Sequence, residues 1–256
     1  VVLLKAVRIP NTFLFYYKEV KMLNISEMNS YNTFTNEEAK QFLKVIKGHK
    51  YECFFKLMMT YQISRIELVC LEWKDIDFEN NTITIYSIEQ ERINKVYYKW
   101  KLNKKENLCR TYPLLPHIKN LLLDLKFKNE NDSLTNENYD FSNQNYICLK
   151  EDGTRLNYNT LSRNLRYIGR DNNLPQIYLD GLRICLDDFI RNNCNSYEYY
   201  RAWTRFDLHK KNAINIFENV RLDRNKKFIN KLDNLISSCE HRRKLDFEMW
   251  GENARN

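Results

Sequence analysis

The stretch "RIELVCLEWKDIDFENNTITI", Arg65–Ile85, changes its periodicity halfway, and that change sets the fold class. Up to Trp73 the texture is helical. From Thr82 apolar and polar residues alternate as in a strand, and Asn80-Asn81 supplies a turn before it. Upstream, "FTNEEAKQFLKVI" opens with Thr35 and Glu38 at capping-box spacing, and "YECFFKLMMTYQ" continues the helical pattern. Downstream, "KVYYKWKL" and "RTYPL" supply two more short strands, with "NKKEN" between them. Helical segments then dominate: "PHIKNLLLDLKF" with Pro116 at its start, "NYNTLSRNLRYIGR", and stretches over 179–193, about 195–204, 209–217 and 224–237. "YICLK" before "EDG" reads as a strand entering a turn. The expected fold is α+β and mainly helical, with a small antiparallel β-sheet inserted among helices.

Composition narrows the classes. Hydrophobic residues make up 43% of the 256, enough to bury a sizeable core, and only 5 Gly and 4 Pro interrupt regular structure. No run of about 18 apolar residues exists, so no membrane partner is expected. The opening "VVLLKAVRIP" is too short for a signal peptide, and a chain that does not begin with Met can be a fragment of a longer protein. Seven cysteines, odd in number and without CxxC spacing, read as buried thiols of a reducing compartment; a cytoplasmic location is expected. The four histidines form no HxxxH or HExxH string, so neither a metal nor a cofactor is expected.

Net charge is +8, and it is segregated. The stretches Glu91–Arg110, Arg155–Arg170 and Arg201–Lys231 carry +5, +4 and +6, which leaves the remainder acidic. Such a distribution suits a phosphate-bearing partner. On "NYNTLSRNLRYIGR", Arg163, Arg166 and Arg170 follow i, i+3, i+7 and share a face, with Asn159 and Thr160 nearby. Lys101 and Lys104, in a stretch that also holds Tyr97, Tyr98 and Trp100, are further candidates for DNA contact. A solvated basic face is the bland alternative.

Four strings occur in order: "FTNEEAKQFL", "LEWKDIDFENNTITI", "RTYPLLP" and "EDGTRLNYNTLSRNLRYI". Together they make the chain resemble the catalytic domain of the tyrosine recombinases, the phage-type integrases, from about Thr33 to Leu235. The resemblance implies a catalytic-type domain over 33–237. It also implies an N-terminal segment over 1–32 that is a remnant of a core-binding domain and linker, and a tail over 238–256. It further implies a mechanism in which a tyrosine attacks the DNA backbone while two arginines, a hairpin lysine and His or Trp residues stabilise the developing charge.

Laid on the family pattern, most of those parts are replaced. The family's Gly-x-Arg-x-x-Glu string reads "QISRIE", which puts Ser64 in the first arginine slot. Arg65 lies one residue on, rotated by about 100°. Counting back from Pro113 in "KENLCRTYP" places the hairpin lysine at Lys105, with Lys104 as the near alternative. The His-x-x-Arg-His pattern reads Asp180-Gly181-Leu182-Arg183-Ile184, so Arg183 survives and both histidines are lost. Asp180 either caps its helix, the favoured reading, or pairs with Arg183. In "FDLHKKNAINIFENV", Leu208 takes the histidine slot and Phe217 the tyrosine slot, and phenylalanine has no nucleophile.

The expected function is therefore a catalytically inactive recombinase-like protein that binds duplex DNA, nucleoid-associated when bound and carried by a mobile element in a replication, maintenance or regulatory role. One alternative is a protein-interaction scaffold, self-associating or partnering an active recombinase. The other is an active recombinase whose nucleophile is displaced to Tyr197, Tyr199 or Tyr200.

Overall fold

A computed structural model describes residues 32–86, 88–93, 97–102, 109–194, 200, 203–204 and 222–237; for 88–93, 97–102, 109 and 222–225 it describes the backbone alone. Eight α-helices lie among the described residues: α1 (Asn36–Val45), α2 (Glu52–Tyr61), α3 (Arg65–Val69), α4 (Pro116–Thr135), α5 (Tyr158–Asp171), α6 (Leu179–Ile184), α7 (Asp187–Asn193) and α8 (Leu222–Ser237). Five strands interrupt them: β1 (Ile76–Asp77), β2 (Thr82–Tyr86), β3 (Ile88–Ile93), β4 (Tyr97–Leu102) and β5 (Cys109–Pro113). The mainly helical α+β fold with a small antiparallel sheet is thus present.

Its local signals work as the residues dictate. Thr35 caps α1 and Glu38 returns the bond to the Thr35 amide at 2.7 Å. Pro116 opens α4, where its missing N–H costs nothing. α2 is buried along its whole length and forms the spine of the core. Around it Tyr61, Tyr112, Trp203 and Phe228 form an aromatic cluster with neighbouring ring centroids 5.2–6.0 Å apart. The Trp203 indole donates to the Thr60 carbonyl at 2.8 Å, and the Tyr112 hydroxyl donates to the Trp203 carbonyl at 3.1 Å. α8 docks on this core through Phe228, Leu232 and Ile236, one turn apart and fully buried. A buried polar bridge lies beside the cluster. Lys56 donates to Glu52 and to His117 Nε2, each at 2.8 Å, and the His117 amide donates to Asp233 of α8.

Four expectations are corrected. "KVYYKWKL" does not join the strand at Thr82. β2 pairs directly with β5, from Thr82 opposite Pro113 to Tyr86 opposite Cys109, while β4 pairs with β3 in a separate two-stranded ribbon. "IEQERI" hid β3, because four polar residues in a row, Glu89 to Arg92, leave no apolar alternation. The helix expected to reach Trp73 stops at Val69; the chain turns at Cys70 so that the Leu71 carbonyl accepts from the Ile147 amide and the Trp73 amide donates to the Asn145 carbonyl, and Trp73–Asp75 is a 3₁₀ turn. The 179–193 helix is two helices broken at Cys185-Leu186. "YICLK" contributes only isolated bridges, Glu72 with Tyr146 and Leu149 with Arg155. The segments expected over 195–204 and 209–217 lie wholly or largely outside the described residues, as do 1–31 and the tail.

Candidate functional site

Helices α3, α5 and α6 pack side by side, and α6 also lies against α2. The described positions read against the family's catalytic pattern, Ser64, Asp180 and Arg183, fall on these elements or on the turns that lead into them. The α2–α3 turn is the first. Gln62 adopts φ 50, ψ 34, the left-handed conformation that glycine enters freely and other residues rarely. Ile63 is buried, and Ser64 caps α3: its hydroxyl accepts from the Glu67 amide, and its own amide donates to Glu67 Oε2 at 2.8 Å. The second carboxylate oxygen, Oε1, holds the Arg110 guanidinium at 3.2 Å in a pair whose side chains are only 5% and 3% exposed. A short hydroxyl thus stands at position 64, and the nearby Glu67 carboxylate is committed to a cation from β5. Arg65 leans over the Tyr158 ring at the start of α5, 5.0 Å from its centroid.

The α6 segment is pinned from outside. The Thr33 hydroxyl donates to the Gly181 carbonyl at 2.8 Å, and a Cβ at Gly181 would collide with the Asn32 carbonyl. Asp180 is not the cap of this helix. Tyr178 holds that position without a side-chain bond, and Asp180 lies in the first turn, where a carboxylate is favoured by the helix dipole. Nor does Asp180 pair with Arg183. Arg183 Nε is buried without a hydrogen-bond partner, and Arg183 forms no ion pair among the described residues.

Asp187, which could have held Arg183, is engaged elsewhere. It is buried and accepts from Arg191 at 2.7 Å, from the Tyr200 hydroxyl at 3.0 Å and from the Gln62 amide at 3.4 Å. Burial pushes the Tyr200 hydroxyl up to about 12, with Arg191 pulling down and Asp187 adding to the rise. A phenol that is buried, neutral and donating to a carboxylate is a poor nucleophile. The i, i+4 spacing of Asp187 and Arg191 was legible in sequence; the reach of Gln62 and Tyr200 to them was not.

α5 presents the other half of the site. Asn157 caps it, Leu161, Leu165 and Ile168 face the core, and Asn159, Arg163, Arg166, Tyr167 and Arg170 are exposed on the opposite side, with Thr160 half-buried. Arg163 and Arg166 form no ion pair among the described residues. Arg170 is tied to Asp171 at 2.9 Å and stacks on Tyr167. Arg155, at the start of the same basic stretch, is used inside the fold: it donates to the Val69 carbonyl at 2.7 Å and covers the Tyr146 ring at 3.9 Å. Lys101 sits on β4 opposite Glu89, a placement of its backbone only. Lys104, Lys105, Leu208 and Phe217 lie outside the described residues, as do Tyr197 and Tyr199.

The sequence model of the phage integrase family matches residues 32–196, well over half of the chain. The chain belongs to the phage integrase family. A XerC-like tyrosine recombinase of Caldanaerobacter subterraneus subsp. tengcongensis is 32% identical over 89 residues, which span 32% of this chain and 23% of that relative. Among solved structures, the Tn1549 transposon integrase in complex with a circular intermediate DNA superposes with TM-score 0.55 at 16% identity, over 76% of this chain and 65% of that one. XerA recombinase gives 0.51 at 14% identity, over 78% and 64%. XerH bound to its palindromic difH substrate gives 0.51 at 18% identity, over 81% and 56%. The chain spans less than two thirds of each of these relatives, and at such identities the superpositions establish the integrase fold alone. Among the described residues no helix of this family member is long and apolar enough to cross a membrane, and no cluster of metal-ligating side chains occurs.

Proposed function

We propose that this integrase-family chain binds duplex DNA through the exposed face of α5 and does not cleave it. The observation that carries the binding half is the pair Arg163 and Arg166, exposed, a turn apart and without a counter-charge among the described residues, on a helix packed beside the one that bears Arg183, whose Nε has no hydrogen-bond partner among them. Cations not already neutralised by carboxylates are the groups that can release counterions from a phosphate backbone. The inactive half is supported by the backbone at Gln62. A left-handed residue where the family pattern has glycine supports the reading of "QISRIE", and with it the serine in the arginine slot. Recombinase chemistry fails when members of its site are missing, because they act as a unit. Asp180, Leu208 and Phe217 in place of two histidines and a tyrosine fit the same reading, and the engaged Tyr200 argues against a nucleophile displaced to that position. Arg183 and Lys105 are then retained phosphate contacts. Asn159, Thr160, Arg170, Lys101 and Lys104 extend the surface, residues 33–237 form the DNA-binding body, and a mobile element is its source.

The test is retention of a mixed pool of duplex DNA across a salt series, with retained fragments sequenced and run on a denaturing gel for covalent adducts. Salt-sensitive retention with an enriched motif and no adduct is expected. Absence of retention at low salt removes the DNA reading, and a covalent protein–DNA species removes the inactive one.

A further inference from the structure

Among the described residues no hydrogen bond or ion pair fixes the Arg183 head group, and its Nε is buried without a partner. The place of this side chain therefore follows the backbone of α6, which has little hold of its own. α6 is six residues long, and so short a helix has no independent stability. Tyr178 stands at its N-cap without a side-chain bond. At the other end the Cys185 amide turns to the Leu182 carbonyl, so the Gly181 carbonyl lacks the amide that a regular helix would bring it. The Thr33 hydroxyl takes that amide's place at 2.8 Å. Among the described residues this is the one side-chain hydrogen bond to the α6 backbone. Thr33 is itself anchored. The Phe34 ring beside it is buried with its centroid 5.3 Å from that of Phe42, and Thr35 caps α1. On the other side, the Asn32 carbonyl lies where a Cβ at Gly181 would be. Residues 32–35 thus form a strap that is tied to the core and seated on Gly181, next to Asp180 and two residues before Arg183.

We infer that Thr33 is the positioning residue for Arg183. Through the Gly181 carbonyl it sets where the guanidinium meets a backbone phosphate, and the phosphate half of this rests on the DNA binding proposed above. A guanidinium holds phosphate through directed N–H bonds, so a shift of its base loses geometry while the charge remains. The donor, not the bulk, of Thr33 carries the effect. Thr33→Val keeps the shape and removes the hydrogen bond, whereas Thr33→Ser keeps the hydroxyl.

Two measurements on the whole protein test it. The first is duplex-DNA affinity by filter binding at fixed salt. Thr33→Val should weaken binding by about three- to tenfold, and Thr33→Ser should restore it. In an Arg183→Gln background Thr33→Val should cost nothing further, while in the Arg163→Ala, Arg166→Ala background the full loss should remain. A general loss of structure cannot give that pattern. The second needs no DNA: hydrogen exchange of the Arg183 Nε proton, followed by NMR on arginine-labelled protein. Thr33→Val should speed that exchange by about tenfold or more, and Thr33→Ser should leave it slow. Equal losses from Thr33→Val with and without Arg183, or an exchange rate indifferent to Thr33→Val, overturn the inference and leave the DNA reading standing. A wild-type protein that retains no DNA removes the DNA reading instead, and the exchange rates then decide by themselves whether Thr33 positions Arg183.

Discussion

Asp187 shows how much one side chain can organise. Three donors from three parts of the chain converge on it, so Asp187→Ala removes an acceptor that Arg191, Tyr200 and Gln62 share. A loss of about 2–4 kcal/mol is expected in urea denaturation, mostly from groups stranded in a buried place. Gln62 makes a sharper case. Its left-handed backbone costs about 1 kcal/mol that glycine would not, and its side-chain bond to Asp187 is long, so the two terms nearly offset. Gln62→Gly should leave the denaturation midpoint within experimental scatter. Gln62→Val, which adds β-branching at φ 50 and keeps no hydrogen bond, should be clearly less stable. Equal stability of the valine and glycine variants would remove the backbone account. Sequence alone assigned Gln62 its place in the pattern. Its strain and its partner came only with coordinates, because a contact spanning 125 residues leaves no local signal.

Elements were legible where one periodicity or one cap decides them. Thr35 with Glu38, Pro116, and the apolar stripe of α5 fixed three helices from local rules. The ribbon was misread because register, not composition, selects strand partners, and "IEQERI" carries no alternation to reveal it. The cap of α6 was misassigned because Asp180 has the chemistry of a cap but sits two residues too late. Two expectations follow for elements. Arg163→Ala with Arg166→Ala should weaken DNA binding for all sequences alike and lower the slope of log affinity against log salt by about 2, read from filter binding across the salt series. An unchanged slope would exclude α5 from the interface. Gly181→Ala should push Asn32 off α6 and cost about 1–3 kcal/mol, even though alanine favours helix, because the obstacle is backbone. Replacing Thr33 by valine should give a smaller loss, from one hydrogen bond.

Across the whole molecule the buried weak acids set a limit at high pH. Burial pushes the thiols of Cys53 and Cys185 and the hydroxyl of Tyr61 upward, and those of Cys194 and Tyr200 to about 12 each. Each folded-state value lies above the unfolded one, so the native chain retains protons that the unfolded chain has released. Their stabilising share is complete below the usual thiol and phenol values, and it declines as pH rises through the folded ones. Urea midpoints should therefore fall steadily from about pH 8.5 upward, and Tyr200→Phe should flatten the upper part of that decline. A profile flat to pH 11 would contradict the burial of these groups.

One property of the sheet reaches further than stability. Tyr86 and Cys109 face each other across β2 and β5, so the two ends of the intervening 87–108 excursion lie about 5 Å apart. The sheet is already closed beneath it. The excursion is a cassette: excised and replaced by a two-residue Asn-Gly turn, it should leave the helices and the aromatic core folded. Because Lys104 and Lys105 leave with it, the same deletion separates what the body of the protein does from what its appended ribbon adds. Lineages could lengthen, shorten or exchange that ribbon without re-solving the fold.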